Sequence, residues 1–319
     1  MANRRSKVGL HAPARNRLAE PIVWSAAPTP LTEAMRVDVP SVRRMVKHHL
    51  RLGISGLFLC GTNGEGPFLP DAEKRTLIRS TVESVKNRLP VAVQVSDNSP
   101  ARILQNAEAA AEAGADMAII APPYFMVNAG PKQILKLYLG AIEESPLPVG
   151  IYDRGGHGPI KVPDAVIEEI YARPKVVLVK DSSGDEGRMR IALEAKRRRP
   201  GLRLLNGSEF DCVKYLLAGY DGLLLGGGVF NGFLAGQLAR AVASGNVGLA
   251  RRLQDRMNRM MYAVYGGKDI SCWLAGEKKL LVELGIFKTW RNFPDYGLTT
   301  TCEKAIRRVI ERDSEVLLP

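Results

Sequence analysis

The chain has 319 residues, 45% of them hydrophobic, enough to bury a sizeable core. No apolar run approaches the roughly 20 residues that span a bilayer, and the opening MANRRSKVGLHAPARNR lacks the apolar stretch of a secretion signal; a cytoplasmic protein with no membrane partner is expected. Net charge is +12, but the basic clusters carry neither interleaved aromatics nor a nucleic-acid motif, so no specific nucleic-acid partner is expected and an anionic substrate uses the charge equally well.

In chain order, residues 1–19 read as a basic arm carrying Arg4, Arg5, Lys7, Arg15 and Arg17. It shares with organellar presequences a basic, acid-poor composition, but it has only one serine. Strand-like apolar runs then recur: IVWS from Ile22, GLFLC from Gly56, VAVQV from Val91, MAIIA from Met117, VGIY from Val149, VVLVK from Val176, LRLLN from Leu202 and GLLLG from Gly222. Helices are predicted between them, among them 71–87 with Asp71 as cap, and 100–113 with Ser99 ahead of Pro100. Eight strands alternating with helices predict a (β/α)8 TIM barrel over residues 20–244. An open doubly wound sheet would expect a glycine-rich turn after the first strand; APTPLTEAM follows instead. Residues 245–319 read as a helical C-terminal region, with helices over 246–265, 275–285 and 302–312.

In such a barrel the chemistry sits at the C-terminal ends of the strands. VVLVK ends in Lys180. A lysine walled by aliphatic residues loses charge to desolvation, and its neutral amine can attack a carbonyl to form a Schiff base. A rim lysine snorkelling to solvent fits the same stretch, and the residues alone leave the choice even. GTNGE (61–65) follows the second strand, and its glycines with Thr62 and Asn63 suit a nest for a carboxylate or phosphate, or a plain turn. Tyr152 ends the fifth strand and can carry protons at a barrel mouth. GGG (226–228) lacks phosphate-loop spacing, and Asp181 reads as structural. The four cysteines show no paired spacing and the four histidines no metal-binding spacing, so no metal is expected.

Together these residues resemble the dihydrodipicolinate synthase and N-acetylneuraminate lyase family of pyruvate-dependent, Schiff-base aldolases. The resemblance runs from about residue 20 to about residue 312. It rests on GTNGE (61–65), PYF (123–125), Tyr152, VKD (179–181), NGSE (206–209) and a Tyr152-to-Lys180 separation of 28 residues. It implies a Schiff base on Lys180 with pyruvate or a 2-oxo acid yielding it, and no other cofactor. It implies proton transfer by Tyr152 with Thr62 as relay, and Thr62 and Asn63 holding the carboxylate. The Gly207 and Leu224 backbones would line the pyruvate end, with Tyr124 and His157 nearer the second substrate, an aldehyde. It also implies a homo-oligomer, a dimer or tetramer, with an aromatic of the Tyr124–Phe125 region reaching across the dimer.

Three positions depart from the synthase pattern. Asn63 stands for a second threonine, Phe125 for a tyrosine, and His157 for the arginine that binds the acidic aldehyde, leaving Arg154 to substitute from another direction. GTNGEGPFL looks closer to the family's 4-hydroxy-2-oxoglutarate aldolases. An aldolase or lyase of that kind is therefore expected. The synthase of lysine biosynthesis and a non-catalytic 2-oxo-acid-binding paralogue are the alternatives.

Overall fold

The computed structural model describes residues 22–158 and 160–319; the basic arm expected at 1–19 lies outside them. Eight parallel strands close into a barrel in chain order: β1 (Ile22–Ala26), β2 (Gly56–Leu59), β3 (Val91–Gln94), β4 (Met117–Ile120), β5 (Val149–Asp153), β6 (Val176–Asp181), β7 (Arg203–Asn206) and β8 (Gly222–Leu225). Helices α1 (Val39–Arg51), α2 (Asp71–Val85), α3 (Pro100–Glu112), α4 (Pro131–Glu144), α5 (Asp164–Tyr171), α6 (Glu186–Arg198), α7 (Cys212–Ala218) and α8 (Gly228–Ala243) each follow one strand. The protein is a (β/α)8 barrel, and α9 (Val247–Val264), α10 (Trp273–Glu283) and α11 (Thr300–Leu317) complete it. Among the described residues no helix is long and apolar enough to cross a membrane.

The strands are apolar on both faces because each face is covered. One set of side chains fills the lumen, including Trp24, Phe58, Met117, Ile119, Leu178, Leu205 and Leu224. The other set packs between the barrel and its helices. Trp24 is large enough to need a gap opposite it, and Gly56 supplies one: a Cβ there would run into the indole.

Local signals set the helix ends to within a few residues. Ser99 caps α3, its hydroxyl accepting from the Arg102 amide at 3.3 Å. Asp71 is the first residue of α2 rather than its cap, which is Pro70. That helix stops at Val85, earlier than expected, because Lys86 and Asn87 turn to positive φ. Helix α11 runs on to Leu317, since Val316 and Leu317 are buried.

The C-terminal helices also reach the barrel mouth. Lys278 on α10 forms a fully buried ion pair with Glu65, and its Nζ donates to the Arg291 carbonyl at 2.7 Å. The Phe293 amide donates to the other Glu65 oxygen at 2.6 Å. Glu65 itself sits at φ 56°, the left-handed turn that starts the short 66–68 helix.

Candidate active site

Strands β5 and β6 pair so that Tyr152 lies beside Lys180 and Asp153 beside Asp181. Side chains alternate along a strand, so the first pair faces the lumen and the second faces the helices. Lys180 is only 5% exposed, which excludes the snorkelling arrangement. Its Nζ lies 4.1 Å from the centre of the Tyr152 ring and 5.0 Å from that of Phe58. Burial drives the Lys180 ammonium below its ordinary range, against Tyr152 and Glu209, with Arg154 adding to the fall. Burial alone would raise the Tyr152 phenol, but Lys180, Thr62, Arg154 and Ser182 outweigh it and bring it down. The amine is thereby shifted toward its nucleophilic neutral form, and the phenol toward easier proton release.

Around this pair the backbone comes close. Gly207 donates to the Asp181 carbonyl at 2.6 Å. A Cβ on Gly207 would collide with the Ser182 hydroxyl and stand 3.0 Å from Lys180 Cε, so only glycine fits beside the lysine stem. Leu224 is fully buried on β8 in the lumen cluster that also holds Tyr152. The Thr62 hydroxyl stands 3.5 Å from the Tyr152 hydroxyl.

The segment 61–66 divides its labour differently from the sequence expectation. The Asn63 side chain does not face the mouth. Its Nδ2 points to the Ala26 carbonyl at 2.8 Å, Glu277 Oε1 at 3.0 Å and the Gly226 carbonyl at 3.2 Å. These acceptors surround the carboxamide and leave it no free donor for a carboxylate. Glu65, quoted with the same nest, is likewise spent on Lys278 and Phe293. What the segment offers a ligand is main chain: the amides of Thr62 and Asn63 meet no acceptor among the described residues.

Two further expected residues lie at the margin. The Tyr124 hydroxyl accepts from Gln94 Nε2 at 2.6 Å, and burial pushes its phenol up to about 12. His157 is exposed, its amide on the Arg154 carbonyl at 2.9 Å. Phe125 is 70% exposed.

Two charged groups matter more than the sequence suggested. Glu209 follows β7, accepts from the Gly227 amide at 2.7 Å and the Tyr265 hydroxyl at 3.0 Å, and acts electrostatically on Lys180. Burial raises its carboxyl above the usual range, opposed by Gly227, Tyr265 and Lys180. Arg154, half-buried at the end of β5, influences Lys180, Tyr152 and Tyr124, and its guanidinium has no acceptor among the described residues. The turn NGSE marked Glu209 only as part of a motif, and its partner Tyr265 is 56 residues away.

The outer pair is fully engaged. Asp181 accepts from the Ser183 amide and hydroxyl at 2.9 and 2.7 Å and from the Tyr220 hydroxyl at 2.6 Å. Asp153 accepts from the Gly155 amide, the Tyr171 hydroxyl and Arg188 at 2.8, 2.9 and 3.3 Å. His48 and His49 are buried as well, on the Val229 carbonyl and on Ser25 and the Met45 carbonyl. Among the described residues no three His, Cys, Asp or Glu side chains converge on one point.

Comparison with known proteins adds relatives to this geometry. The family model for the dihydrodipicolinate synthetase family matches residues 22–271. A 4-hydroxy-tetrahydrodipicolinate synthase 2 from Streptomyces coelicolor is 32% identical over 203 residues, 63% of this chain and 66% of that protein. A 4-hydroxy-tetrahydrodipicolinate synthase from Methylococcus capsulatus is 24% identical over 90% of this chain and 96% of its own length. The dihydrodipicolinate synthase structure from Bacteroides thetaiotaomicron superposes with a TM-score of 0.83 at 27% identity, covering 93% of this chain and all of that one.

Proposed function

We propose a reaction from an established premise: this chain belongs to the dihydrodipicolinate synthetase family, whose members are class I, pyruvate-dependent lyases acting on carbon–carbon bonds. The proposed activity is a Schiff-base aldolase or lyase that cleaves a small 2-oxo acid of the 4-hydroxy-2-oxoglutarate kind to pyruvate and an aldehyde, or forms it from them. The observation that carries it is the buried Lys180 amine against the Tyr152 ring.

The amine of Lys180 attacks the 2-keto carbon, and the resulting carbinolamine loses water to give an imine. Once the imine is protonated, loss of the C4 hydroxyl proton breaks the C3–C4 bond: an aldehyde departs, the electron pair of that bond becomes the C2=C3 bond of an enamine, and the imine π pair moves onto nitrogen. The enamine left behind takes a proton at carbon, and water releases pyruvate and restores the amine. Tyr152 is the proton carrier in these steps, with the Thr62 hydroxyl 3.5 Å away as relay. The free amides of Thr62 and Asn63 receive the 1-carboxylate, and the Gly207 and Leu224 backbones wall the keto end. Arg154, a guanidinium without an acceptor, receives the distal carboxylate of an acidic partner.

The names of the relatives favour a second reading, 4-hydroxy-tetrahydrodipicolinate synthase. The same amine would serve it, but His157 stands exposed where the synthase pattern has an arginine, and Phe125 has no hydroxyl to relay protons. A dimer or tetramer belongs to both readings.

Borohydride added with pyruvate tests the chemistry. The expected result is a reduced pyruvyl adduct on the peptide carrying Lys180, absent from Lys180→Ala. An undiminished adduct in that variant would sink the proposal. Pyruvate release from 4-hydroxy-2-oxo acids, set against pyruvate consumption with aldehydes, separates the two readings.

A further inference from the structure

Glu277 on α10 is fully buried, and its Oε1 accepts from Asn63 Nδ2 at 3.0 Å across 214 residues of sequence. Three acceptors surround that nitrogen, so the carboxamide can only be oriented with its NH2 toward them. Two buried oxygens are then left without a donor: Asn63 Oδ1 and Glu277 Oε2. They are the remaining corners of the same two planar groups. Lys278, next to Glu277, directs its bonds to Glu65 and to the Arg291 carbonyl and makes none to either oxygen.

A hydrogen on Glu277 Oε2, donated to Asn63 Oδ1, satisfies both oxygens at once. We propose that Glu277 is a positioning residue: as a carboxylic acid it forms a reciprocal pair with the Asn63 carboxamide and thereby sets the main chain of Thr62 and Asn63 toward Lys180 and Tyr152. The surroundings agree. Burial holds the Glu277 carboxyl well above the usual carboxylate range, Glu209 and Glu65 push the same way, and Asn63 and Lys278 oppose. Tyr265, which bonds Glu209, also feels Glu277. The pair uses the C-terminal helices to hold a catalytic loop from behind. It keeps the Asn63 side chain out of the mouth while leaving its amide free.

The kinetic consequence rests on the pyruvate-lyase reading; the protonation state does not. An infrared difference spectrum between wild type and Glu277→Gln at neutral pH is expected to contain a protonated carboxylic C=O stretch. Carboxylate bands in its place overturn the proposal whatever the enzyme's substrate. Glutamine offers the same acceptor and donor to Asn63, so it stands in for the acid but not for a carboxylate. Glu277→Leu is expected to raise KM for pyruvate about tenfold with kcat within about threefold, and Glu277→Gln to return KM to within about twofold of wild type. A glutamine variant as impaired as the leucine variant overturns the pairing. If Glu277→Leu does not fold, the infrared band and the glutamine variant still decide. A missing pyruvate adduct on Lys180 would remove the function and leave the band to be read.

Discussion

The ends of β5 and β6 carry two pairs of polar residues one position apart. Tyr152 and Lys180 face the lumen; Asp153 and Asp181 face the helix layer. Both pairs are buried. The outer carboxylates are surrounded by donors, with Ser183 and Tyr220 on one and Gly155, Tyr171 and Arg188 on the other. The inner amine and phenol have each other, the Thr62 hydroxyl at 3.5 Å and the Phe58 ring. Buried polar groups with all partners present rigidify a fold. Buried groups short of partners are costly to hold, and they retain the capacity to bind something else. The same strand ends therefore build the wall and the reactive centre, separated only by the alternation of side chains.

That contrast predicts opposite signatures for the two faces. The largest effect is on the inner face, where Lys180→Ala removes the nucleophile and with it the trapped adduct and turnover. Tyr152→Phe should cut kcat by about 10²- to 10³-fold while leaving the thermal midpoint nearly unchanged, since a general acid–base group typically contributes that much. Steady-state kinetics beside a thermal melt check it, and a Phe variant with near-normal kcat would break the contrast. On the outer face Arg188→Met should do the reverse. Arg188 is buried and bonds Asp153, Asp164 and the Val162 carbonyl, so its loss strands a buried carboxylate and should cost about 3–5 kcal/mol in urea unfolding. The folded fraction should keep kcat within about threefold. A stable variant with lost activity would show that the outer pair takes part in the chemistry.

Much of this was legible beforehand because it is local. Runs such as VVLVK and MAIIA are apolar on both faces, which only a doubly covered parallel strand explains, and eight of them close a barrel. The same periodicity put Tyr152 and Lys180 at strand ends, and adjacent strands in register made them neighbours. What stayed hidden depends on contacts between distant segments. Asn63 resembled a ligand donor because nothing nearby in sequence claims its amide; the claimant, Glu277, lies 214 residues on. Glu65 looked like part of a nest until Lys278, 213 residues away, took its carboxylate. Glu277 and Lys278 are adjacent in a helix that reads as an ordinary charged stretch. No periodicity shows that both are buried, because the wall that buries them comes from the loops they hold.

The smallest effect sharpens the contrast through pH. On the inner face, the lowered Lys180 pKa makes kcat/KM rise with pH as the free enzyme's amine loses its proton, and by the same depression stability rises with pH up to the ordinary lysine range. On the outer face, His49 bonds Ser25 of β1 and is lowered from 6.5 to about 3, chiefly by burial, with His48 adding and the Met45 carbonyl opposing. A group with a depressed folded pKa binds protons more readily when unfolded. Its stability contribution is thus complete above 6.5 and drains away as pH falls toward about 3. Raised carboxyls such as Asp181 and Glu209 drift the opposite way over part of this range, so the histidine must be read as a difference. The stability gap between wild type and His49→Gln should shrink by about 1 kcal/mol between roughly pH 6.5 and pH 5.5, because only the wild type has this imidazole to protonate on unfolding. Paired urea titrations at the two pH values measure it. A gap that stays constant would mean that His49 titrates alike in both states, and that the outer layer at β1 is wetter than its hydrogen bonds to Ser25 and Met45 imply.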